Sequence, residues 1–258
     1  MFYEFYPEID STNDELKRRA GEGRCPEYTV VSAGMQTGGR GRSGHTWSSP
    51  PGSSVSTSMI IYPEGIEASH LPRLTPISAV AVAAAIEELY GLLAEIKWPN
   101  DVLLNKKKVC GILTEMLPAA GGMPACVIVG IGVNVHIRDF PQEIADIATS
   151  IDIAIESAAS GQVPIRTHCE DITRGIWEHF YEYYQDFKRT EDLSGILDFY
   201  NKRLVNRGRR VRIMDPIAPY EGEALFIDET GALHVMTDTG ERLVDSGEVS
   251  VRGIAGYV

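Results

Sequence analysis

The segment Gly38-Gly39-Arg40-Gly41-Arg42-Ser43-Gly44-His45-Thr46-Trp47, followed at once by Ser48-Ser49-Pro50-Pro51, limits what this chain can fold into more than any other stretch. Gly39-x-Gly41-x-x-Gly44 has the spacing of the turn that opens a dinucleotide-binding βαβ unit. That unit needs a helix directly after the turn, so that a pyrophosphate can rest on its N-terminus. Two adjacent prolines exclude a helix of the needed length here. The doubly wound nucleotide fold is therefore excluded, and Gly-x-x-x-x-Gly-Lys-Ser/Thr occurs nowhere in the chain, which excludes a Walker-type NTPase. What is left is a loop with two guanidinium groups, one indole and little side-chain bulk. Glycines let backbone N–H groups approach an anion, and arginines present forked donors that match carboxylate and phosphate oxygens. The competing reading is a surface turn with incidental charge.

Around this loop the pattern predicts an α+β fold. Asp10 to Ala20 reads as a helix, with Thr12 and Glu15 spaced as a capping box and Gly21 as the stop. Tyr28 to Ala33 and Ser53 to Ile61 read as strands, and Leu74 to Leu93, apolar on nearly every face, as a buried helix. Short strands follow at Glu95 to Trp98, Asp101 to Leu104 and Lys108 to Met116, with Asn105-Lys106-Lys107 as a hairpin turn. Ala125 to Val135 is a long apolar strand in which Gly130 and Gly132 mark a close approach, either of a ligand or of a neighbouring strand. Helical spacing returns over Pro164 to Phe187 and Asp192 to Arg203. Helices on a mixed sheet, without strict β-α alternation, predict α+β. From Arg209 the pattern changes to short strands separated by Asp-Glu-Thr-Gly, Asp-Thr-Gly and Asp-Ser-Gly, which implies a small β-barrel after a boundary near Asn206-Arg207-Gly208. The expected division is 1–205 for the large domain and 206–258 for the small one.

With 258 residues, 43% of them hydrophobic, the chain can bury a sizeable core. Lys and Arg number 24 against 36 Asp and Glu, a net charge of −12, which argues against a general nucleic-acid binder. A local arginine loop can still form a positive pocket on an acidic protein. The four cysteines (Cys25, Cys110, Cys126, Cys169) lie far apart with no Cys-x-x-Cys, and the six histidines have no ligand spacing, so reduced thiols, no metal site and a cytoplasmic location are expected. The N-terminus has no export signal, and the longest apolar run, Ile77 to Ile86, is too short to span a bilayer.

Downstream of the loop lie Lys97-Trp98-Pro99-Asn100-Asp101, Gly111-Ile112-Leu113-Thr114-Glu115 and Gly130-Ile131-Gly132-Val133-Asn134, with Asp10-Ser11-Thr12-Asn13 upstream. In this order, over nearly the whole chain, these segments resemble the biotin protein ligase family, of the monofunctional type without an N-terminal DNA-binding domain. The resemblance implies a class II synthetase-like catalytic domain of mixed sheet and helices, with an SH3-like C-terminal barrel. It also implies ATP-dependent activation of biotin to biotinyl-5′-AMP, Mg2+ entering with ATP, and transfer to a lysine of a biotin carboxyl carrier protein.

By position, the resemblance implies that Ser11, Thr12, Asn13 and Gln36 hold the ureido end of biotin. Gly39, Arg40, Gly41 and Arg42 would cover biotin and its adenylate. Lys97 would bridge carboxylate and α-phosphate, and Gly111 and Ile112 would offer backbone to the ring system. Arg42, Trp47, Lys97 and Asn134 would meet the nucleotide, and Lys97, Arg40 and Arg42 would carry the chemistry. Two anions must be brought together in such a reaction, so fixed cations at their junction offset the repulsion. Because a mixed anhydride hydrolyses in water, the glycine-rich loop should close over it as a lid. His45 departs from the family, where a second basic residue is common, and the departure bears on pyrophosphate contact, not on the reaction type.

Duller alternatives stand beside these assignments. Ser11 and Thr12 are natural helix caps, Lys97 could lie over the adjacent Trp98 ring on an exposed strand, and Asn134 could cap a loop. The enzymatic alternative is a lipoate or octanoate ligase or transferase, and the non-enzymatic one a biotin sensor. An edge strand could pair two subunits into a homodimer.

Overall fold

The computed structural model describes residues 1–23, 25–48, 50–119, 125–158, 166–215, 217–246, 250–253 and 257. A seven-stranded mixed sheet runs in the order β1 (Phe2–Tyr6), β2 (Thr29–Ala33), β3 (Ser54–Ile61), β7 (Cys126–Asn134), β6 (Lys107–Leu117), β5 (Asp101–Leu104), β4 (Glu95–Lys97). β1 and β2 are parallel, and every other neighbouring pair is antiparallel.

Period-two alternation divides β3 and β7 between two cores. Val55, Met59, Ile61, Val127, Val129, Ile131 and Val133 face the large core, where α2 (Leu74–Tyr90) and α4 (Cys169–Thr190) pack. Ile60 and Ile128 face the other way, onto Leu16 and Ala20 of α1 (Thr12–Gly21). Each fully buried Ile or Leu contributes roughly 1.5–3 kcal/mol. α2 is apolar all round because it lies between the sheet and α4, and it stops at Gly91, whose φ of +64° a side chain would strain. Trp177 of α4 donates its indole N–H to Thr57 Oγ1 at 2.9 Å, joining helix and sheet through a satisfied buried polar pair.

Beyond α3 (Ile151–Ala158) and α5 (Leu197–Arg203), an SH3-like five-stranded antiparallel unit follows. It comprises β8 (Arg209–Met214), β9 (Tyr220–Ile227), β10 (Leu233–Thr237), β11 (Gly240–Val244) and β12 (Ser250–Gly253), in the order β11-β10-β9-β8-β12. Its inward residues Val211, Ile213, Ala224, Leu233 and Val235 join the same apolar core as the large sheet. Trp98, 2% exposed, closes the junction by donating Nε1–H to Gly231 O at 3.1 Å. Among the described residues no helix is long and apolar enough to cross a membrane. Cys25, Cys110 and Cys126 are buried free thiols, and Cys169 is partly buried.

Several elements differ from the sequence expectation. The cap of α1 is Ser11, not Thr12: Ser11 is extended and its Oγ accepts from Asp14 N at 3.3 Å. Thr12 is then the first helical residue and turns toward the sheet, while Glu15 pairs with Arg18 and Arg19 instead of closing a capping box. Ser11→Ala is expected to cost about 1 kcal/mol, read as a lowered urea midpoint at unchanged slope. β1 was not foreseen, since Phe2, Tyr3 and Phe5 stay exposed, only Tyr6 is partly buried, and no burial alternation results, and α3 was not foreseen either. α4 begins at Cys169; the expected start at Pro164 lies outside the described residues. α5 starts at Leu197, not Asp192, because Asp192 caps the preceding turn through Ser194.

Candidate functional site

One transverse row of the large sheet forms the floor of the site. Lys97 pairs with Asp101, Asp101 with Gly111, Gly111 with Gly132, and Gly132 with Ser56. Directly opposed residues point to the same face. The row therefore carries a lysine and a carboxylate at one end, two positions without side chains in the middle, and a serine at the other. At ~4.8 Å per strand, the step from Asp101 to Ser56 spans roughly 14 Å. The parallel row two residues away runs through Ser58, Gly130 and Leu113. Over these two rows this face thus carries glycines, serines and only one leucine where the other is filled with Val, Ile and Met.

The glycine-rich loop folds over this floor. Gly38 N–H donates to Asp10 O, Gly41 N–H to His45 O and Trp47 N–H to Gly39 O, so the loop is a closed hairpin tied to the start of α1. Only Arg42–Gly44 form a helical turn, a single 3-10 turn, as the two prolines require. A Cβ at Gly39 would stand 2.4 Å from Trp47 O, so glycine is needed there for close backbone approach. The Trp47 ring lies in the gap left by the floor: a Cβ at Gly132 would stand 2.3 Å from it and one at Gly111 3.2 Å. Its buried Nε1–H finds no acceptor among the described residues. A buried unpaired donor costs about 1–3 kcal/mol, so this indole is poised to take an acceptor from a ligand.

At one end the predicted residues Ser11, Thr12, Asn13 and Gln36 converge, all but Gln36 buried. Gln36 Oε1 accepts from Thr12 N at 2.8 Å. The Thr12 and Ser58 hydroxyls lie 2.6 Å apart, and Ser58 donates on to Asn13 Oδ1. Asn13 Nδ2 donates to Glu115 Oε2 at 2.7 Å, and Glu115 also holds Lys17. Asn13 fits only because Gly130 has no Cβ, which would stand 2.3 Å from Asn13 Oδ1. Ser58 was missed from the sequence, where it looked like one more polar residue of a strand. Arg40 lies near this end, bonded to Asp14 at 2.6 Å with Glu115 at 3.7 Å, and the Asp14 hydrogen bond raises its already high pKa.

At the other end lie Lys97, Arg42 and Lys108. Lys97 is 6% exposed and does not lie over Trp98; its Nζ sits 3.3 Å from the ring centroid of Tyr257. Burial pulls its pKa down to about 8, with Lys108 and Arg252 adding to the fall and Asp101 opposing it. Lys108 Nζ pairs with Asp101 Oδ1 at 2.6 Å and stands 5.9 Å above the Trp47 ring. It is a second cation over the floor, which the sequence reading placed only as the first residue of a strand. Arg42 reaches Asn100 Oδ1 at 3.4 Å and Ser246 O at 2.6 Å, joining the loop to the small domain, and burial lowers its pKa. Asn100 also exchanges hydrogen bonds with both backbone groups of Ile112, so Ile112 presents an engaged backbone here and a side chain in the core. Asn134, two residues beyond Gly132, stands at the rim of the same face and donates to Thr149 O at 3.0 Å. Gly41 lies in the covering loop and His45 is exposed beside it. Among the described residues no cluster of three or more metal-ligating side chains occurs.

Residues 5–134 match the family described as biotin/lipoate A/B protein ligase, and residues 208–252 match the biotin protein ligase C terminal domain. The chain is 35% identical over 252 residues to the bifunctional ligase/repressor BirA of Bacillus subtilis, covering 95% of this chain and 73% of that one. It is 32% identical to the biotin–[acetyl-CoA-carboxylase] ligase of Paracoccus denitrificans over 95% of this chain and 98% of that one. Among solved structures, the biotin protein ligase from Aquifex aeolicus in complex with biotin and ATP superposes with a TM-score of 0.82 at 27% identity, covering 98% of this chain and 99% of that one.

Proposed function

The chain belongs to the biotin/lipoate A/B protein ligase family, and from that premise and the geometry of its site we propose that it joins biotin to a carrier protein in two steps. A biotin carboxylate oxygen attacks the α-phosphorus of ATP and expels pyrophosphate, forming biotinyl-5′-AMP. The amine of an acceptor lysine then attacks the acyl carbon and expels AMP, losing its proton as the amide forms.

The observation that carries this reading is the Lys97–Asp101–Gly111–Gly132–Ser56 row beneath the arginine loop. It offers a polar, hydroxyl- and amide-lined end, a floor of glycines long enough for a flat ligand beneath the movable Trp47 ring, and cations where two anions must meet, Lys97 buried and Lys108 partly so. In this reading Ser11, Thr12, Asn13 and Gln36, with Ser58 behind them, hold the ureido group. Gly39, Arg40, Gly41 and Arg42 cover the ligand, Gly111 and Ile112 flank it, and Trp47 and Asn134 face the nucleotide. Lys97 and Lys108 offset the repulsion between carboxylate and α-phosphate in a site sheltered from water. Mg2+ enters as part of the ATP substrate. Residues 1–205 would work as the catalytic domain, with 206–258 docked on it through Trp98 and Arg42. The acceptor is a lysine of a biotin carboxyl carrier protein, and the exposed edge strand β1 leaves room for a homodimer.

Incubation with biotin and MgATP should yield biotinyl-5′-AMP by mass spectrometry, and a carrier domain added later should gain the biotinyl mass. Octanoate and lipoate serve as rival acids. Adenylate from those acids but not from biotin would transfer the reading to lipoate chemistry, and binding of biotin with no adenylate would leave a sensor.

The rate should also depend on pH in a definite direction. Lys97 must carry its proton to meet the anions, and in the free protein its pKa is about 8. kcat/KM for adenylate formation should therefore fall by half near pH 8 and about tenfold per pH unit above it. Lys97→Arg, whose guanidinium stays charged, should flatten that fall; a wild-type profile level to pH 10 would contradict it.

A further inference from the structure

Lys97 is a buried cation whose charge is met by an aromatic face. Among the described residues its Nζ has no ion pair and no hydrogen bond, and the Tyr257 ring centroid lies 3.3 Å from it. Tyr257 is held in turn by donating its hydroxyl to Asp101 Oδ2 at 2.6 Å, while Asp101 Oδ1 faces Lys108. Tyr257 therefore links Lys97 to the one carboxylate of the floor, whose other oxygen holds Lys108.

Lys97 is only 6% exposed, so an anion can reach Nζ only by displacing a group that now covers it. The strand neighbours of Lys97 are fixed by the β4–β5 ladder. Tyr257 lies beyond β12 in no helix or strand, held among the described residues by the two side-chain contacts just given, and it is the cover that can move. An aromatic face attracts a cation more weakly than a carboxylate or phosphate oxygen does.

We propose that Tyr257 sets the affinity of this site for ATP: its ring occupies the anion position on Lys97 in the ligand-free protein, and the α-phosphate displaces it. The proposal rests on the role given to Lys97 above. The ring stabilises the buried charge while no ligand is bound, and every binding event must give up that contact. Part of the gross interaction with ATP is thus spent on the exchange.

The probe is α,β-methylene ATP, which cannot transfer its α-phosphorus to biotin, titrated calorimetrically into the biotin-saturated full chain. Tyr257→Ala is expected to bind it about tenfold more tightly than wild type. Tyr257→Phe, which keeps the ring and loses the Asp101 anchor, should fall between the two. In a Lys97→Met background, Tyr257→Ala should change the affinity less than twofold, because no cation is left for ring and phosphate to share. Unchanged or weakened binding in Tyr257→Ala overturns the proposal, and so does an equal gain with and without Lys97. If wild type makes biotinyl-5′-AMP while Tyr257→Ala shows no gain, the plug fails and the ligase reading stands. If wild type makes no adenylate, the reading itself has failed.

Discussion

Lys97→Met is expected to reduce adenylate formation by a hundredfold or more and, at pH 7, to raise thermal stability. The two effects share a cause. The folded protein lowers the Lys97 pKa from 10.5 to about 8, chiefly by burial, so the charged form is the one that folding disfavours. Between pH 8 and 10.5 the unfolded chain binds the extra proton, and stability rises with pH across that window. Below pH 8 the penalty is present in full, and above 10.5 it has gone. A shift of this size corresponds to about 3 kcal/mol, part of which the Tyr257 contact already offsets. Met fills nearly the same volume without the charge, so Tm should rise by a few degrees at pH 7 and hardly at all near pH 10.5. The catalytic loss follows from removing a contact made chiefly where carboxylate and phosphate meet. Near wild-type adenylation, or a Tm lowered at pH 7, would show that this buried lysine is not kept for function.

That trade-off was not legible in the sequence, though much of the frame was. The two prolines after the glycine-rich loop excluded a long helix there, and only one 3-10 turn formed. The uniformly apolar stretch after Leu74 had to be a covered helix, because an exposed face of Ala, Ile and Val would leave its burial unrealised. Gly130 and Gly132 signalled close approach, but not that the approaching groups are Asn13 and Trp47, more than eighty residues upstream. Lys108 was hidden for a different reason. Strict alternation from Gly111 would turn Lys108 to the core side with Cys110. The ladder instead pairs Val102 with Cys110 and Leu103 with Lys108, so Val109 is an extra residue that flips Lys108 onto the floor. A bulge leaves no mark in a period-two pattern. Tyr257 was hidden because its partners, Lys97 and Asp101, are separated from it by the whole small domain.

Gly132→Val should abolish ligand binding while leaving the fold standing. Gly132 lies in a regular strand without positive φ, so Val meets no backbone strain and gains β-propensity of a few tenths of a kcal/mol. Its side chain would, however, start 2.3 Å from the Trp47 ring. That ring sits on a loop and can leave, so the expected outcome is expulsion of the indole and occupation of the floor by two methyl groups. Trp emission should shift to the red as Trp47 meets water, urea unfolding should stay within about 1 kcal/mol of wild type, and biotinyl-5′-AMP affinity should fall more than a hundredfold. Gly130→Ala is the useful contrast, because there the obstacle is Asn13, which is held by Ser58, Glu115 and the first turn of α1. With a neighbour that cannot move, the same added carbon should appear first as lost stability, on the order of 1–3 kcal/mol. A Gly132→Val protein that binds adenylate like wild type would mean the ligand does not lie across this row. The assignment of Gly111 and Trp47 to the site would fall with it.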